Sequence, residues 1–365
     1  MGWRRELKNN VCTIDELKEY VKLSHTEEKK LRHIVEIQPM SVPRYYLSLI
    51  DWNDQNDPIR KMSVPSLNEL NLAGSYDTSG ERENTKLPGL QHKYSQTALI
   101  LANNRCAMYC RHCFRKRMTG LPSEEILQKF KDAIKYVKSH PEINNVLITG
   151  GDPLMLSNRV LQKFLKYLSA VPHIDFIRIG SRLPVTFPQR ILEDDELMEL
   201  FRTYSTHRRR IYIVTQFNHP REITDESSMA IDRLLKAGVI INNQTVLLKG
   251  VNDDPEILAN LLNQLVSIGA NPYYVFQCRP VKRVKRQFAL PLVRGLDIIE
   301  NARKHLNGPS KRFKYVMSHR TGKIEIIGIM NDEIYLKYHQ AKNPMKLGKF
   351  FKKNINDTAT WLDEL

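Results

Sequence analysis

The sequence is poor in cysteine and lacks long apolar runs. Only five of its 365 residues are cysteine, and three of these fall in one short stretch, so no disulfide framework can be built. No run of 18 or more apolar residues occurs, and the N-terminus, MGWRRE, lacks the apolar core of a signal peptide. These absences exclude a membrane-spanning or disulfide-stabilised secreted class and predict a cytoplasmic protein without a membrane partner.

Acidic residues are also scarce relative to basic ones. The chain has 56 Lys and Arg against 40 Asp and Glu, a formal net charge of +16, with dense basic runs at 279–286 and 337–353. Such an excess raises the question of a nucleic-acid partner. No aromatic–basic stacking motif or helix-turn-helix pattern accompanies the charge, so we expect a solvated surface, or arginines that serve small anionic ligands.

The three clustered cysteines are Cys106, Cys110 and Cys113, in the spacing C-x3-C-x2-C. Thiolates at such spacing bind zinc or an iron–sulfur cluster. A closed site of either kind needs four ligands. Three cysteines on a [4Fe–4S] cluster would leave one iron open to a small molecule. The alternative is a Cys3His zinc knuckle completed by His112 or a distant histidine.

From Thr97 onwards, short apolar strands alternate with amphipathic helical segments, which predicts six β/α units of an α/β fold. Eight units close a barrel, so six predict a partial barrel that is open on one side. The predicted strands are Ala98–Ala102, Asn145–Thr149, Asp175–Gly180, Ile211–Gln216, Ile240–Leu247 and Tyr273–Cys278. The predicted helices are Ser123–Ser139, Ser157–Leu168, Asp195–Tyr204, Glu226–Ala237, Pro255–Ile268 and Val293–Leu306.

Two further regions flank this barrel of residues 96–310. Residues 1–95 show no clear β pattern and predict a helical region, with a capping box at Thr13 and Glu16. Residues 311–365 predict a β-hairpin extension with strands at Phe313–Met317, 323–328 and Asp332–Tyr338, and a turn at 330–332. The lysine-rich end from Lys342 has little apolar content, so we expect it to be loosely held.

Polar residues follow every predicted strand, at the edge where parallel β/α sheets bind ligands. For each one alone an ordinary turn would suffice, but together with the cysteine motif they predict a site. They are the cysteine motif, Gly150–Asp152, Ser181 with Arg182, Asn218 with His219, Asn252 with Asp253, and Arg279.

Several strings in order make the chain resemble the lysine 2,3-aminomutase family of radical S-adenosylmethionine (SAM) enzymes, over about residues 90–330. They are the cysteine motif, GGD at 150–152, RIGSRLPV at 178–185, FNHPREIT at 217–224, NQTVLLKGVND at 243–253 and PYYVFQC at 272–278. The family combines radical SAM chemistry with pyridoxal phosphate (PLP) and moves an amino group from the α to the β carbon of an amino acid. The resemblance therefore implies three cofactors: a [4Fe–4S] cluster, SAM and PLP.

The resemblance also implies roles for single residues. Cys106, Cys110 and Cys113 would ligate the cluster. Arg115 would bind the substrate α-carboxylate, a use that suits a forked guanidinium, and Lys323 would form the Schiff base that retains PLP. The alternative for Lys323 is a solvated hairpin lysine. The other implied cofactor contacts are Gly150, Gly151, Asp152, Gln244 and His219 along SAM, and His112, Tyr94 and the ring of Phe276 around PLP.

The chain departs from the family pattern at several positions. Arg279 and Ser318 stand where lysine-specific members have aspartates for the substrate ammonium, and Lys93 and Thr97 replace two arginines near the PLP phosphate. A cation at position 279 would repel lysine and suit a carboxylate, so we expect an acidic amino acid as the substrate. The rival interpretation is that Arg279 turns outward with the rest of its basic run.

Three interpretations thus remain at this point. The first is a radical SAM, PLP-dependent 2,3-aminomutase, an isomerase that needs an electron donor such as ferredoxin or flavodoxin and could form a homo-oligomer. The second keeps the radical SAM core without PLP, and the third is a basic nucleic-acid-binding protein with a structural metal.

Overall fold

A computed structural model describes residues 2–365, whose strands form one sheet in sequence order. Among these residues β1 and β12 are the two ends of the order, so the sheet is not closed. The strands are β1 (Thr85–Leu87), β2 (Leu90–Tyr94), β3 (Thr97–Asn103), β4 (Asn145–Gly150), β5 (Phe176–Gly180), β6 (Arg210–Thr215), β7 (Ile240–Leu247), β8 (Asn271–Gln277), β9 (Lys314–His319), β10 (Gly322–Met330), β11 (Glu333–Ala341) and β12 (Phe350–Asn354).

The N-terminal region is helical, as predicted, with its last α-helix ending at Ser63 and strands beginning only at Thr85. The capping box is confirmed, because the Thr13 hydroxyl accepts from the Glu16 N–H and Glu16 accepts from the Thr13 N–H. The short strands β1 and β2 were not predicted; β1 pairs antiparallel with β2, and β2 with β3, so both extend the sheet. The five helices are α1 (Gly2–Leu7), α2 (Ile14–Leu17), α3 (His25–Ile37), α4 (Arg44–Leu47) and α5 (Pro58–Ser63).

The predicted partial barrel is confirmed: strands β3 to β8 are parallel and helices lie between them. Among residues 2–365, no helix is long and apolar enough to span a membrane. The helices after the cysteine motif are α6 (Phe130–Lys138), α7 (Asn158–Ser169), α8 (Leu183–Thr186), α9 (Gln189–Leu192), α10 (Asp195–Tyr204), α11 (Asp225–Lys236), α12 (Pro255–Ser267), α13 (Lys285–Phe288) and α14 (Leu292–Lys304).

The first barrel helix begins seven residues later than predicted, at Phe130 rather than Ser123. The segment before it runs beside the sheet, where the Leu127 N–H donates to the Leu101 carbonyl at 2.8 Å. The Leu127 backbone lies so close to Gly89 that a Cβ there would overlap it, and Gly89 has a φ of +81°. This tertiary contact takes the backbone N–H that a helix would otherwise use.

The register of the parallel strands separates two faces. Ile100, Ile148, Ile179 and Ile213 are aligned partners in neighbouring strands and are all 0% exposed, packed away from the barrel interior. The row beside them is Leu99, Leu147 and Arg178, which points to the interior because side chains alternate along a strand. The apolar row anchors the sheet, and the other row forms part of the cavity described below.

The C-terminal extension is larger than the predicted hairpin. Strand β9 pairs in parallel with β8 and is a seventh strand of the parallel sheet, and β10, β11 and β12 continue it in antiparallel order. The predicted turn is confirmed at Asn331 and Asp332, whose φ values of 50° and 60° are typical of a two-residue hairpin turn. The pairing places Lys323 directly opposite Ser318.

The expectation of a loosely held C-terminal end is wrong for the last residues. Trp361 is 2% exposed, and the Thr360 carbonyl accepts from Gln277 Nε2 at 3.1 Å. Glu364 forms an ion pair with Lys285. Low apolar content did not predict this, because one buried tryptophan and a few backbone contacts are enough to hold a short segment.

Candidate active site

A cavity of about 360 Å³ opens at the carboxyl ends of the parallel strands, with further walls from β2, β10 and the N-terminal region. Thirteen of the fourteen predicted site residues line it. These thirteen residues are Tyr94, Cys106, Cys110, His112, Cys113, Arg115, Gly150, Gly151, Asp152, Gln244, Phe276, Arg279 and Lys323.

His219 is the exception, since it is not among the residues that line this cavity. His219 is 7% exposed, and its ring Nδ1 accepts the backbone N–H of Arg221 at 3.2 Å. The backbone N–H of His219 donates to Glu222 Oε2 at 3.0 Å. The structure therefore places His219 at the start of a helical turn.

The three motif cysteines are free thiols that face one cavity. Cys113 accepts the Arg115 backbone N–H at 3.4 Å, and Cys110 accepts from the Arg182 guanidinium at 2.9 Å. Within residues 2–365, no three His, Cys, Asp or Glu side chains are grouped as ligands of a metal ion. Three thiolates on a cubane bind different irons and need not converge on one point, as the ligands of a single metal ion do. Their shared wall suits a cluster.

The loop that carries the cysteines is attached to the N-terminal region by buried charges. Glu69 is 0% exposed; it accepts from Arg111 at 2.8 and 2.6 Å and from Lys116 at 2.6 Å. Burial and the charge of Arg111 lower the pKa of Lys116 to about 8. Charges this deeply buried require partners, so Glu69 fixes the loop in place.

Gly150 and Gly151 are required by the close approach of the cysteine loop. Gly150 has a φ of +122°, which favours glycine. A Cβ on Gly151 would overlap the Arg105 backbone, and the Gly151 N–H donates to the Asn103 carbonyl at 2.7 Å. This backbone contact explains the two glycines and leaves one edge of the loop facing the cavity.

Asp152 follows the glycines and is 5% exposed. Its carboxylate accepts from the Ser181 hydroxyl at 3.0 Å, the Arg182 N–H at 2.7 Å and the Leu154 N–H at 3.0 Å. Burial is the largest influence and raises the pKa of Asp152 to about 6, against these hydrogen bonds. Asp152 thus joins the ends of β4 and β5 beneath the cavity.

Lys323 lies on β10 and lines the same cavity as the three cysteines. Its Nζ is 4.0 Å from the centre of the Tyr274 ring and 5.6 Å from that of Phe276. Burial, followed by the charges of Arg178 and Arg279, lowers the pKa of Lys323 to about 7. An amine that is half deprotonated near neutral pH is a competent nucleophile, which the solvated hairpin alternative would not provide.

Three buried side-chain nitrogens on the cavity wall have no hydrogen-bond partner among residues 2–365: Gln91 Nε2, His112 Nδ1 and Arg178 Nε. His112 Nε2 accepts from the Gln216 amide at 3.0 Å when that amide is oriented as a donor. Burial lowers the pKa of His112 well below its usual value, so the ring is neutral and Nδ1 carries the proton. Three unused buried donors fit an acceptor-rich group such as the phosphate of PLP.

Arg115 reaches the cavity but is held by a carboxylate. Its Nε and Nη2 donate to Glu81 Oε1 at 3.1 and 2.8 Å, and Nη1 donates to the Thr149 hydroxyl at 3.1 Å. Glu81 also pairs with Arg117 at 2.6 Å. The pKa of Glu81 is lowered to about 2, because the charges of Arg115 and Arg117 outweigh its burial.

Arg279 points into the cavity, unlike the rest of its basic run. Its polar partner is the Ser79 hydroxyl at 2.9 Å, and its guanidinium lies 4.0 Å from the centre of the Phe114 ring. Burial lowers the pKa of Arg279 to about 10. Lys282 instead lies over the Tyr76 ring, and Arg283 donates to the Glu69 carbonyl at 2.8 Å. These two residues of the run therefore contact the N-terminal region.

The cavity wall carries six basic side chains and two carboxylates, Glu81 and Asp152. The basic residues are Lys93, Arg115, Arg178, Arg182, Arg279 and Lys323. Lys93 donates to the carbonyls of Ser79 and His319 at 2.9 and 2.6 Å, and burial lowers its pKa to about 7. This imbalance attracts anionic ligands.

Sequence reasoning missed Arg178 and Glu81. Arg178 alternates with buried Ile177 and Ile179, a pattern that places it inside the barrel and could have been read from the sequence. Its Nη2 lies 3.4 Å from the Thr97 hydroxyl, so a guanidinium stands beside one of the two replaced arginine positions. Glu81 lies in an irregular N-terminal segment, and only the fold brings it to Arg115.

Comparison with known proteins agrees with this arrangement. The profile of the Radical SAM superfamily matches residues 100–262. A protein of Aquifex aeolicus (strain VF5), provisionally named L-lysine 2,3-aminomutase, is 42% identical over 96% of this chain and 94% of its own. The L-lysine 2,3-aminomutase of Clostridium subterminale is 40% identical over 84% of this chain and 73% of its own.

The glutamate 2,3-aminomutase of Clostridioides difficile (strain 630) is 37% identical over 84% of this chain and 72% of its own. Among solved structures, coproporphyrinogen III oxidase from Escherichia coli aligns with a TM-score of 0.38 and 11% identity over 73% of both chains, too distant to support an argument. The identities to the aminomutases extend over most of this chain. It belongs to the lysine 2,3-aminomutase family of radical SAM enzymes.

Proposed function

We propose that this protein is a radical SAM, PLP-dependent 2,3-aminomutase of an acidic amino acid. The observation that carries the proposal is one cavity whose wall contains both three free thiols and a lysine with a lowered pKa. Cluster-bound SAM supplies a carbon-centred radical, and PLP supplies a carrier for the migrating amino group. The protein's part is to hold both groups and the substrate in one water-poor space.

In this assignment different residues of the cavity wall hold the two cofactors. Cys106, Cys110 and Cys113 hold the cluster; Gly150, Gly151, Asp152 and Gln244 line the space for SAM. Lys323 holds PLP and Phe276 packs against its ring. The residues that bind its phosphate are His112, Tyr94 and Arg178. His219 lies outside the cavity wall, so its action on SAM would be indirect.

The substrate would lie between the two cofactors, with its α-carboxylate on Arg115. Arg279 supports an acidic side chain, because it reaches the cavity with one polar partner and has donors left for a second carboxylate. A partly desolvated guanidinium is stabilised by such a contact, and a lysine ammonium would be repelled. Among residues 2–365, Glu81 and Asp152 are the acidic side chains on the cavity wall, and this low number agrees with the preference for an acidic substrate.

The test is anaerobic reconstitution with iron, sulfide, SAM and PLP, followed by incubation with single amino acids and a low-potential reductant of the ferredoxin or flavodoxin class. We expect a β-amino acid product from glutamate or another acidic amino acid, with little from lysine. Turnover that does not depend on added PLP would favour the radical SAM interpretation without PLP. Faster turnover of lysine than of glutamate would contradict the substrate assignment. A reducing, cytoplasmic location follows from the need to preserve the cluster.

A further inference from the structure

Arg182 makes the one charged hydrogen bond to a motif cysteine that is found among residues 2–365. Its Nη1 lies 2.9 Å from Cys110 Sγ. Cys113 instead accepts from a backbone N–H at 3.4 Å and lies 3.7 Å from the Thr119 hydroxyl, both neutral groups. The three thiols that would hold the cluster therefore lie in different electrostatic environments.

The orientation of Arg182 is fixed by the groups around it. Its Nε donates to the Gln216 carbonyl at 2.9 Å, and its Nη2 donates to Glu222. Tyr46, which is 0% exposed, donates to the same carboxylate oxygen at 2.6 Å. These contacts use Nε and Nη2, so Nη1 is the nitrogen that reaches the sulfur.

The pair of Arg182 and Glu222 has no net charge, but its positive and negative groups lie at different distances from Cys110. The Arg182 side chain is 10% exposed and that of Glu222 is 0% exposed, so solvent screens neither charge well. Glu222 Oε2 accepts the backbone N–H groups of Asn218 and His219 at 2.6 and 3.0 Å, on the side away from the cysteine. The positive end of the pair faces the thiol.

We propose that Arg182 sets the reduction potential of the cluster through Cys110, and that Glu222 limits this effect. One-electron reduction by a ferredoxin- or flavodoxin-class donor adds a negative charge to the cluster and its thiolates. A charged hydrogen bond to a ligand sulfur stabilises the reduced form and raises the potential. The inference rests on the cluster assigned under the proposed function.

The experiment is a redox titration of the reconstituted protein without SAM, with dithionite and mediators, followed by electron paramagnetic resonance of the reduced cluster. In the double variant Arg182→Met/Glu222→Gln, which keeps the net charge, we expect at least a tenfold lower ratio of reduced to oxidised cluster at a fixed potential, a shift of about −59 mV. In Glu222→Gln alone the ratio should rise, because Arg182 then lacks its counter-charge.

Arg209→Gln is the matched control. Arg209 also binds through its guanidinium, but to the carbonyls of Ile174 and Val171 at 2.6 and 3.2 Å, at the end of the sheet away from the cavity. Its titration should coincide with that of the wild type. If the double variant does not fold, the direction of the Glu222→Gln shift decides the inference.

Several outcomes would overturn the inference. A fully loaded double variant whose ratio stays within threefold of the wild type would do so, as would a Glu222→Gln ratio that does not rise. A loss of SAM affinity with no change in potential would assign Arg182 to SAM. Failure of the cluster assignment looks different, because the wild type itself would then bind no cluster, and a wrong substrate or PLP assignment would leave this titration unchanged.

Discussion

Arg115 and Glu81 form a buried ion pair on the wall of the cavity, with Arg115 Nη2 2.8 Å from Glu81 Oε1. The side chains are 7% and 8% exposed. Arg115 is the residue to which the family resemblance assigns the substrate α-carboxylate. A substrate that binds there must share the guanidinium with Glu81 or displace it, so this pair sets part of the cost of substrate binding.

The first prediction concerns the stability that this pair provides. Glu81→Gln leaves Arg115 without a carboxylate and takes one from Arg117, so we expect a loss of about 3 kcal/mol in the free energy of unfolding. The control is Glu83→Gln, two residues away, which breaks a surface pair with Lys342 at 3.3 Å and should cost about 0.5 kcal/mol or less. Urea denaturation measures both. Equal losses would show that the buried pair is no more important than the surface one.

The second prediction concerns iron. Replacement of Cys106, Cys110 or Cys113 by Ala should abolish the cluster, because each thiol faces the shared cavity. Cys12→Ala is the control, since Cys12 is exposed and does not line that cavity. Iron and sulfide per chain, measured after anaerobic reconstitution, provide the test. Full iron in the Cys110 variant would refute the ligand assignment.

A third prediction concerns the attachment of PLP. Lys323→Ala should lose covalently bound PLP yet retain its cluster and SAM binding, because Lys323 and the three cysteines come from different parts of the chain. Lys314→Ala should keep PLP, as Lys314 pairs with Glu325 at 2.8 Å and does not line the cavity. Borohydride reduction followed by peptide mapping identifies the lysine. Trapping on a different lysine would disprove the choice.

The pKa of Lys323 yields a fourth prediction. The Schiff base requires the neutral amine, and the pKa of about 7 lies below the usual value of 10.5, so the amine is protonated only below about pH 7. The rate of PLP uptake by the PLP-free protein should therefore rise between pH 6 and 8 and then level off. Stopped-flow absorbance at a series of pH values is the measurement. A rate that still climbs tenfold per unit above pH 9 would mean an amine with an ordinary pKa.

The fifth prediction tests substrate class. Arg279→Asp should weaken apparent binding of an acidic amino acid by about 2 kcal/mol or more, because a contact to its second carboxylate is lost and replaced by repulsion. Lys282→Asp, three positions on and over the Tyr76 ring, should change the apparent binding little. KM values for the acidic substrate measure the difference. Equal KM values in the two variants would place Arg279 outside the substrate site.

Periodicity in the sequence predicted the barrel well, because strands β3 to β8 are short apolar runs and α7, α10, α11 and α12 have clear amphipathic patterns. It did not predict β2, whose sequence LQHKY is short and polar and is held as a strand by pairing with β3. The late start of α6 likewise depends on the contact of Leu127 with Leu101. Such tertiary pairing is invisible to local propensity.

The candidate site was likewise predicted in part, and the rest of it depends on tertiary contacts. The cysteine spacing and the order of the family strings predicted which side chains would share a cavity, and all but His219 do so. The carboxylates that neutralise the cysteine loop were not predicted, because Glu69 and Glu81 lie 42 and 34 positions from the arginines they bind. Nothing in their local sequence distinguishes them from surface acids.

The dependence of the cysteine loop on Glu69 and Glu81 limits where this chain can be cut. The superfamily match covers residues 100–262 and contains the loop, but it excludes both carboxylates. A recombinant fragment with those ends would carry Arg111, Arg115 and Lys116 without their buried counter-charges, and it would also lack β1 and β2 from the sheet. We therefore expect the catalytic core to be inseparable from its N-terminal region, so that limited proteolysis should release no folded fragment that begins at residue 100.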